Sequence, residues 1–247
     1  MERPESQSGP GKGIRAGTRH SLFAGRPVYV TGFSAQDADQ YFARNRDVLT
    51  LERAATDPVI RILEELAVLP VARRILEVGC ANGWRLAAIR ERYPTITCIG
   101  VEPSANARED AKRFPTIIVN AGSLGDGSVV PTHDFDAVIV AFTFHWLDPS
   151  DRLGAFRNLD GQLAPGGLLC LMDFLPKSPH SVPYHHREGV FTYKANYGWI
   201  ARSVLGYPVI VERTFDYDVL GAWCDIVPDG RRCAVQVLRK PLALGAA

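Results

Sequence analysis

The sequence is short of cysteine, of net charge and of long apolar runs. Its five cysteines, Cys80, Cys98, Cys170, Cys224 and Cys233, are odd in number, and no two stand as Cys-x-x-Cys. That pattern argues against a disulfide framework and against a structural zinc site, and it suits a reducing compartment. Cys98 and Cys170 lie inside apolar runs, where cysteine behaves as a small hydrophobe. Lys plus Arg is 28 and Asp plus Glu is 27, for a net charge of +1. Such a chain has no global field to gather nucleic acid or anionic lipid. No apolar run approaches the ~20 residues of a membrane span. The segment MERPESQSGPGKGIRAGTRHSLFAG lacks the apolar centre of a signal peptide. A cytoplasmic location, without membrane or nucleic-acid partners, is the resulting expectation.

What is present is enough apolar material for a core: 46% hydrophobic against 22% charged residues. The length of 247 residues suits one large α/β domain or two small ones. No clean linker divides the chain, so a single domain over 21–247 is expected, after a Gly/Ser/Arg-rich disordered arm at 1–20. Ser34 can cap a helix over AQDADQYFARNRDVL, and a second helix over about 57–69 carries apolar residues at helical spacing before Pro70. These helices, within 34–70, form an N-terminal cap. Over 71–175, short apolar strands at 74–79, 96–101, 115–119, 135–141 and 168–173 alternate with helices at 84–93, 104–113 and 148–163. Asp148 and Pro149 are read as the start of the last helix. This alternation implies βαβ units and a parallel sheet covered on both faces. Residues 176–208 read as a Pro- and His-bearing loop followed by a helix over 192–205. Two β-like runs in 209–247 frame Pro228-Asp229-Gly230, the signature of a closing antiparallel hairpin.

The most informative stretch is Ile75-Leu-Glu-Val-Gly-Cys-Ala-Asn-Gly-Trp84. A strand delivers Glu77, turns through Gly79 and enters a helix after Gly83, whose N-terminus offers free N–H groups and partial positive charge. A dinucleotide site wants Gly-x-Gly-x-x-Gly. Counted from Gly79, the second glycine position holds Ala81 and the third Trp84. No Gly-Lys-Ser/Thr follows, so a Walker loop is excluded too. What fits is acid-x-Gly-x-x-x-Gly.

With that loop, the sequence resembles the class I S-adenosylmethionine-dependent methyltransferases over roughly residues 55–175. ILEVGCANG is similar to their first motif. Val101-Glu102 closes the second strand, where the family places the acid that binds ribose hydroxyls. Asn120-Ala-Gly-Ser-Leu124 resembles the adenine-packing segment, with Ser123 where many members carry Asp. FDAVIVAFTFHWL resembles the strand and loop beneath the methyl group, and LAPGGLLCLMDF the turn into strand five. The resemblance implies an α/β, Rossmann-like, doubly wound and mostly parallel seven-stranded sheet with an antiparallel last strand. It also implies S-adenosylmethionine as cofactor. The cofactor set it implies is Glu77, Gly79, Cys80, Ala81, Gly83, Glu102, Pro103, Gly122, Ser123, Leu124 and Ala141.

The acceptor side rests on residue chemistry. His145 suits a general base, because imidazole titrates near working pH. His185 and His186, beside Tyr184, are further candidates on a loop over the site. Adjacent loop histidines point in different directions, so this pair is not read as a metal site and no metal is expected. Trp146, Tyr184, Tyr193 and Lys194 are candidate substrate contacts, Lys194 and Arg187 for an anionic group. Arg44 and Arg46 reach the pocket only if the N-terminal helix is a lid. For each there is a plain alternative: a buried structural His-Trp pair, core aromatics, a solvated charge. The expected activity is methyl transfer to a small or medium polar acceptor, an oxygen of a sugar or similar metabolite or glycan, by a monomer or homodimer. The rival is an inactive cofactor-binding regulator of the same fold. A nucleic-acid methyltransferase lacks support, because Ala-Phe-Thr-Phe-His stands where an Asn-Pro-Pro-Tyr-like element belongs.

Overall fold

The computed structural model describes residues 34–125 and 133–242. The expected arm at 1–20 lies outside them. Five strands, β1 (Arg74–Val78), β2 (Thr97–Glu102), β3 (Ile118–Ala121), β4 (Phe135–Ala141) and β5 (Leu163–Phe174), pair in parallel in the order β3-β2-β1-β4-β5. Beyond β5 the order continues with β9 (Arg232–Arg239) and β8 (Val209–Asp216). The last strand of the chain, β9, is antiparallel to both neighbours. The sheet is thus mostly parallel, as the alternating pattern implies, and seven-stranded with an antiparallel last strand, as the resemblance implies.

Strand residues alternate between two buried layers, as period-two geometry requires. Ile75, Ala137, Ile139, Cys170, Val235 and Val237 face α2 (Pro58–Glu65) and α3 (Trp84–Arg92). Leu76, Val78, Val138, Val140 and Leu169 face α5 (Arg152–Gln162) and α6 (Gly198–Ser203). Helices on both faces make the sheet doubly wound. The N-terminal helix α1 (Ala35–Asn45) opens with a full capping box, in which Ser34 and Asp37 each bind the other's backbone N–H. It packs on α4 (Ala105–Ala111), where Asp39 accepts from Ser104 Oγ at 2.6 Å and from the Asn106 N–H at 3.0 Å.

Four local expectations are corrected. The helix read to residue 49 ends at Asn45, whose side chain bonds the Tyr41 carbonyl at 2.8 Å and competes with the helical ladder. The second helix stops at Glu65, one turn before Pro70, because Ala67 turns left-handed (φ 53°). Asp148 does not cap α5. Its carboxylate takes the Ser150 N–H at 2.8 Å, and the helix begins at Arg152. The helix read over 192–205 is in its first part a strand. Here β7 (Phe191–Lys194), rich in β-formers, pairs with β6 (His180–Pro183), and α6 starts only at Gly198.

Candidate functional site

The strand order runs from β1 through β2 to β3 on one side and resumes with β4 on the other, so the topological switch point, where open α/β sheets bind ligands, lies at the carboxyl ends of β1 and β4. Most of the predicted cofactor residues gather there. Glu77 is the last residue but one of β1; Gly79, Cys80, Ala81 and Gly83 form the loop into α3; Glu102 closes β2 and Pro103 follows it; Gly122 and Ser123 follow β3; Ala141 closes β4. Leu124 is buried in the layer shared with α5.

The loop is held by its neighbours. Gly79 and Cys80 N–H groups both donate to the Val101 carbonyl, at 2.8 and 3.2 Å. The Ala81 N–H donates to Glu102 Oε2 at 2.8 Å, and Ser104 N–H to Oε1 at 2.8 Å. Glu102 is buried, and burial pushes its pKa up against the pull of those two N–H groups. Each carboxylate oxygen therefore has one backbone partner and a remaining lone pair. Gly79 lies in the left-handed region (φ 76°), which favours glycine. A Cβ there would collide with the Thr143 side chain, from the turn after β4. Gly83 (φ 74°) is the left-handed N-cap of α3, and a Cβ would strike Ile117. Ala81 also turns left-handed (φ 51°), so the alanine in place of the middle glycine is held in a conformation that disfavours side chains.

Glu77 has partners that the motif did not announce. Arg85, 6% exposed, pairs with Asp57 in a bidentate contact of 3.0 Å on each side and with Glu77 Oε1. Glu77 Oε2 is buried with no partner among the described residues. Burial pushes the Glu77 pKa up to about 7, with Arg85 opposing and Asp57 adding to the rise. Asp57 also caps α2 through the Ile60 N–H. The available signal was an arginine on the buried, sheet-facing side of α3, where a charge needs a partner.

On the acceptor side, Phe144–Trp146 form a 3-10 turn after β4. His145 is buried there. Its Nδ1 lies 2.9 Å from Asp173 Oδ1, and its backbone N–H donates to Oδ2 at 3.3 Å. Phe174 stands edge-on to the imidazole at 5.3 Å between centroids, and Trp146 lies 4.9 Å away. Tyr184 packs edge-on against Trp146 at 4.7 Å. Lys194 Nζ sits 3.7 Å from the Phe174 centroid, and burial lowers its pKa. Tyr193 lies under Arg152 of α5. His185 and His186 are exposed, tilted against each other at 4.0 Å between centroids and beside Tyr184; of the three candidate histidines only His145 is buried. Two aromatics escaped the sequence reading. Tyr217, from the segment after β8, stacks on Phe174 at 5.3 Å, and Tyr41 of α1 is pushed up to about pKa 12 by burial, with Tyr217, Glu102 and Tyr184 among the groups acting on it.

Charge also ties α1 to the acceptor-side loop: Arg187 pairs with Asp37 and Arg44 Nη2 donates to the Tyr184 hydroxyl. Arg46 turns away to Asp110 at 2.8 Å. Among the described residues no group of three His, Cys, Asp or Glu side chains could hold a metal ion, and no helix is long and apolar enough to cross a membrane.

A model of the methyltransferase domain matches residues 43–204, more than half of the chain. The trans-aconitate 2-methyltransferase of Acidovorax ebreus is 29% identical over 137 residues, covering 53% of this chain and 50% of that protein. The chain thus spans about half the length of the curated relatives it matches. Among solved structures, the 1,6-didemethyltoxoflavin-N1-methyltransferase of Burkholderia thailandensis superposes with a TM-score of 0.62 at 16% identity, covering 84% of this chain and 87% of that one. The N-methyltransferase NodS of Bradyrhizobium japonicum, in complex with S-adenosylhomocysteine, gives 0.52 at 20% identity, covering 83% and 98%. At such identities these superpositions speak for the fold.

Proposed function

Since the chain belongs to the class I S-adenosylmethionine-dependent methyltransferases, we propose that it transfers the cofactor's methyl group to a hydroxyl oxygen of a small or medium polar acceptor, a sugar or similar metabolite. The observation that carries the acceptor chemistry is His145, buried at the carboxyl edge of the sheet with Asp173 on its Nδ1. An alcohol is almost wholly protonated at neutral pH, and a positioned imidazole can take its proton.

The residues at the strand ends fit the cofactor. The orphaned, buried Glu77 Oε2 lacks a positively charged or hydrogen-bonding partner, and S-adenosylmethionine carries an ammonium. Glu102 keeps one lone pair per oxygen for two adjacent ribose hydroxyls. When bound, the cofactor supplies a methyl group already activated by the positive sulfur. The chain's own work is to hold the acceptor oxygen in line with that carbon and to exclude water. The aromatic rings of Phe142, Trp146 and Phe174 around His145, with Tyr217 stacked on Phe174, suit the second task.

A second reading is a carboxylate acceptor, which needs no base. Lys194 beside Phe174 favours it, as does the likeness to trans-aconitate methyltransferases. Incubation with labelled S-adenosylmethionine and fractionated metabolites, followed by mass spectrometry of the labelled product, separates the two. A methyl ether supports the first reading and a methyl ester the second. Cofactor binding without any labelled product would favour the inactive regulator.

A further inference from the structure

We infer that Asp173 is the positioning residue that holds His145 in one tautomer, with the hydrogen on Nδ1 and the lone pair on Nε2. The inference rests on the reading of His145 as the base for a hydroxyl acceptor, and it extends that reading to a residue with no role assigned from the sequence. Asp173 lies near the end of β5, in register with Ala234 of β9, so its backbone is fixed on the sheet. The residue is 6% exposed and its carboxylate takes three donors. Phe174 N–H reaches Oδ1 at 2.8 Å, His145 N–H reaches Oδ2 at 3.3 Å, and His145 Nδ1 lies 2.9 Å from Oδ1. Two of the three are backbone groups, so the carboxylate is oriented whatever the imidazole does.

An ionised carboxylate only accepts hydrogen bonds. The atom facing Oδ1 must therefore be Nδ1–H, and in the neutral ring the free lone pair falls on Nε2, for which no described residue serves as partner. Phe174, Phe142 and Trp146 hem the ring at centroid distances of 5.3, 6.3 and 4.9 Å. The imidazole is thus fixed in both orientation and protonation pattern. In the transfer, the acceptor oxygen forms its bond to the methyl carbon as the carbon–sulfur bond breaks and that electron pair leaves with sulfur. The hydroxyl proton passes to Nε2, and the imidazolium stays against the Asp173 carboxylate. A buried acid that merely braced the turn would hold the backbone N–H of His145 equally well, but would have no reason to meet Nδ1.

Nitrogen-15 spectroscopy of the histidine-labelled full chain tests this without an acceptor. His145 is expected as the Nδ1–H tautomer, identified by the loss of its signals in His145→Gln. In Asp173→Asn the Nε2–H form is expected to become populated, and Asp173→Glu to restore the Nδ1–H form. Should either substitution unfold the chain, the tautomer of the unsubstituted protein remains decisive. An Nε2–H tautomer there, or an unchanged one in folded Asp173→Asn, overturns the inference. S-adenosylhomocysteine titrated into the same samples reads the functional proposal separately: absence of binding to the unsubstituted protein would sink that proposal and leave the tautomer result standing.

Discussion

Arg187 Nη1 lies 2.6 and 2.5 Å from the two carboxylate oxygens of Asp37, across a sequence separation of 150 residues. The pair joins the first turn of α1 to the loop between β6 and β7, and Arg44 adds a bond to Tyr184 on the same loop. Asp37 is buried, whereas Arg187 is 38% exposed. Burial alone would raise the Asp37 pKa, but the bonds from Ser34 and Arg187 outweigh it and hold the carboxyl below its ordinary value. This contribution is present above the ordinary aspartate range and is lost as pH falls through the lowered value.

Arg187→Gln keeps the capping box of α1 and removes only the latch. With so exposed a guanidinium, global stability is expected to change by no more than about 1 kcal/mol. Local opening of α1 should rise, because the pair ties its first turn to the loop between β6 and β7. Hydrogen exchange over residues 35–45 measures this. Equal exchange in the two proteins would mean that packing on α4 alone keeps the helix down.

Glu102→Gln tests the end of β2. A solvated ribose ligand could be replaced without harm to the empty protein, but Glu102 is buried and both of its oxygens accept backbone N–H groups. An amide offers one acceptor and turns an NH2 towards the other donor. The expected result is therefore double. S-adenosylhomocysteine binds at least about tenfold more weakly, since charge-assisted bonds contribute roughly 1.5–3 kcal/mol each. The ligand-free protein also loses about 1–3 kcal/mol for the donor left facing the amide. Calorimetric titration and urea unfolding measure the two effects. Unchanged affinity would show that the second strand end is not a ligand site.

These two cases show what was legible in the sequence. The strand-loop-helix order could be read because β1, β2 and β4 are mostly apolar runs, β1 closed by Gly79 and β2 by Glu102, a local pattern. Glu102 was placed at its strand end by the same signal, but its two backbone donors come from a folded loop and leave no trace in spacing. The Asp37–Arg187, Asp57–Arg85 and His145–Asp173 pairs join distant segments, so no periodicity announces them. The 191–194 stretch was misread because a short run of aromatic and β-branched residues suits a helix face and a hairpin strand alike; its partner at 180–183 decides.

Gly79→Ala should be destabilising through two separate effects. The left-handed backbone (φ 76°) disfavours any side chain, and the new methyl would meet Thr143. Together they are expected to cost about 1–3 kcal/mol. Thr143→Ala in the same chain should recover only the contact part, leaving the backbone strain. Denaturant midpoints of the single and double variants check this. Full recovery in the double variant would mean that the loop accepts alanine's backbone preference.

Glu77 should make stability depend on pH. Its folded pKa, pushed up to about 7 by burial, lies above the value of 4.5 for a free side chain. The folded state therefore holds a proton that the unfolded state releases between these limits. The contribution is fully present below about pH 4.5 and is lost as pH rises through about 7. Arg85, Asp57 and Glu102 are the charged groups acting on it, and Arg85 alone favours ionisation. Glu77→Gln keeps an acceptor for Arg85 and removes the titration. Relative to this variant, the unsubstituted protein should lose stability between pH 5 and pH 8 in urea unfolding. A constant difference would show that Arg85 keeps Glu77 ionised throughout.

The sharpest test of the acceptor chemistry compares two nucleophiles in one variant. His145→Gln removes the imidazole from the buried site beside Asp173 and leaves the glycine loop and Glu102 untouched. A hydroxyl acceptor then has no group to take its proton, and general-base catalysis of this kind contributes typically 10²–10⁴-fold. A carboxylate is already ionised at neutral pH, since free carboxyls titrate near pH 4, so its methylation should fall by no more than the modest factor due to repacking. Label transfer from S-adenosylmethionine to the hydroxyl acceptor identified from metabolite fractions, and to trans-aconitate as a carboxylate probe, measures both arms. Loss confined to the hydroxyl arm assigns the proton to His145. Equal loss in both arms would make the imidazole a wall of the pocket, and equal retention would leave the transfer without a base and favour the carboxylate reading.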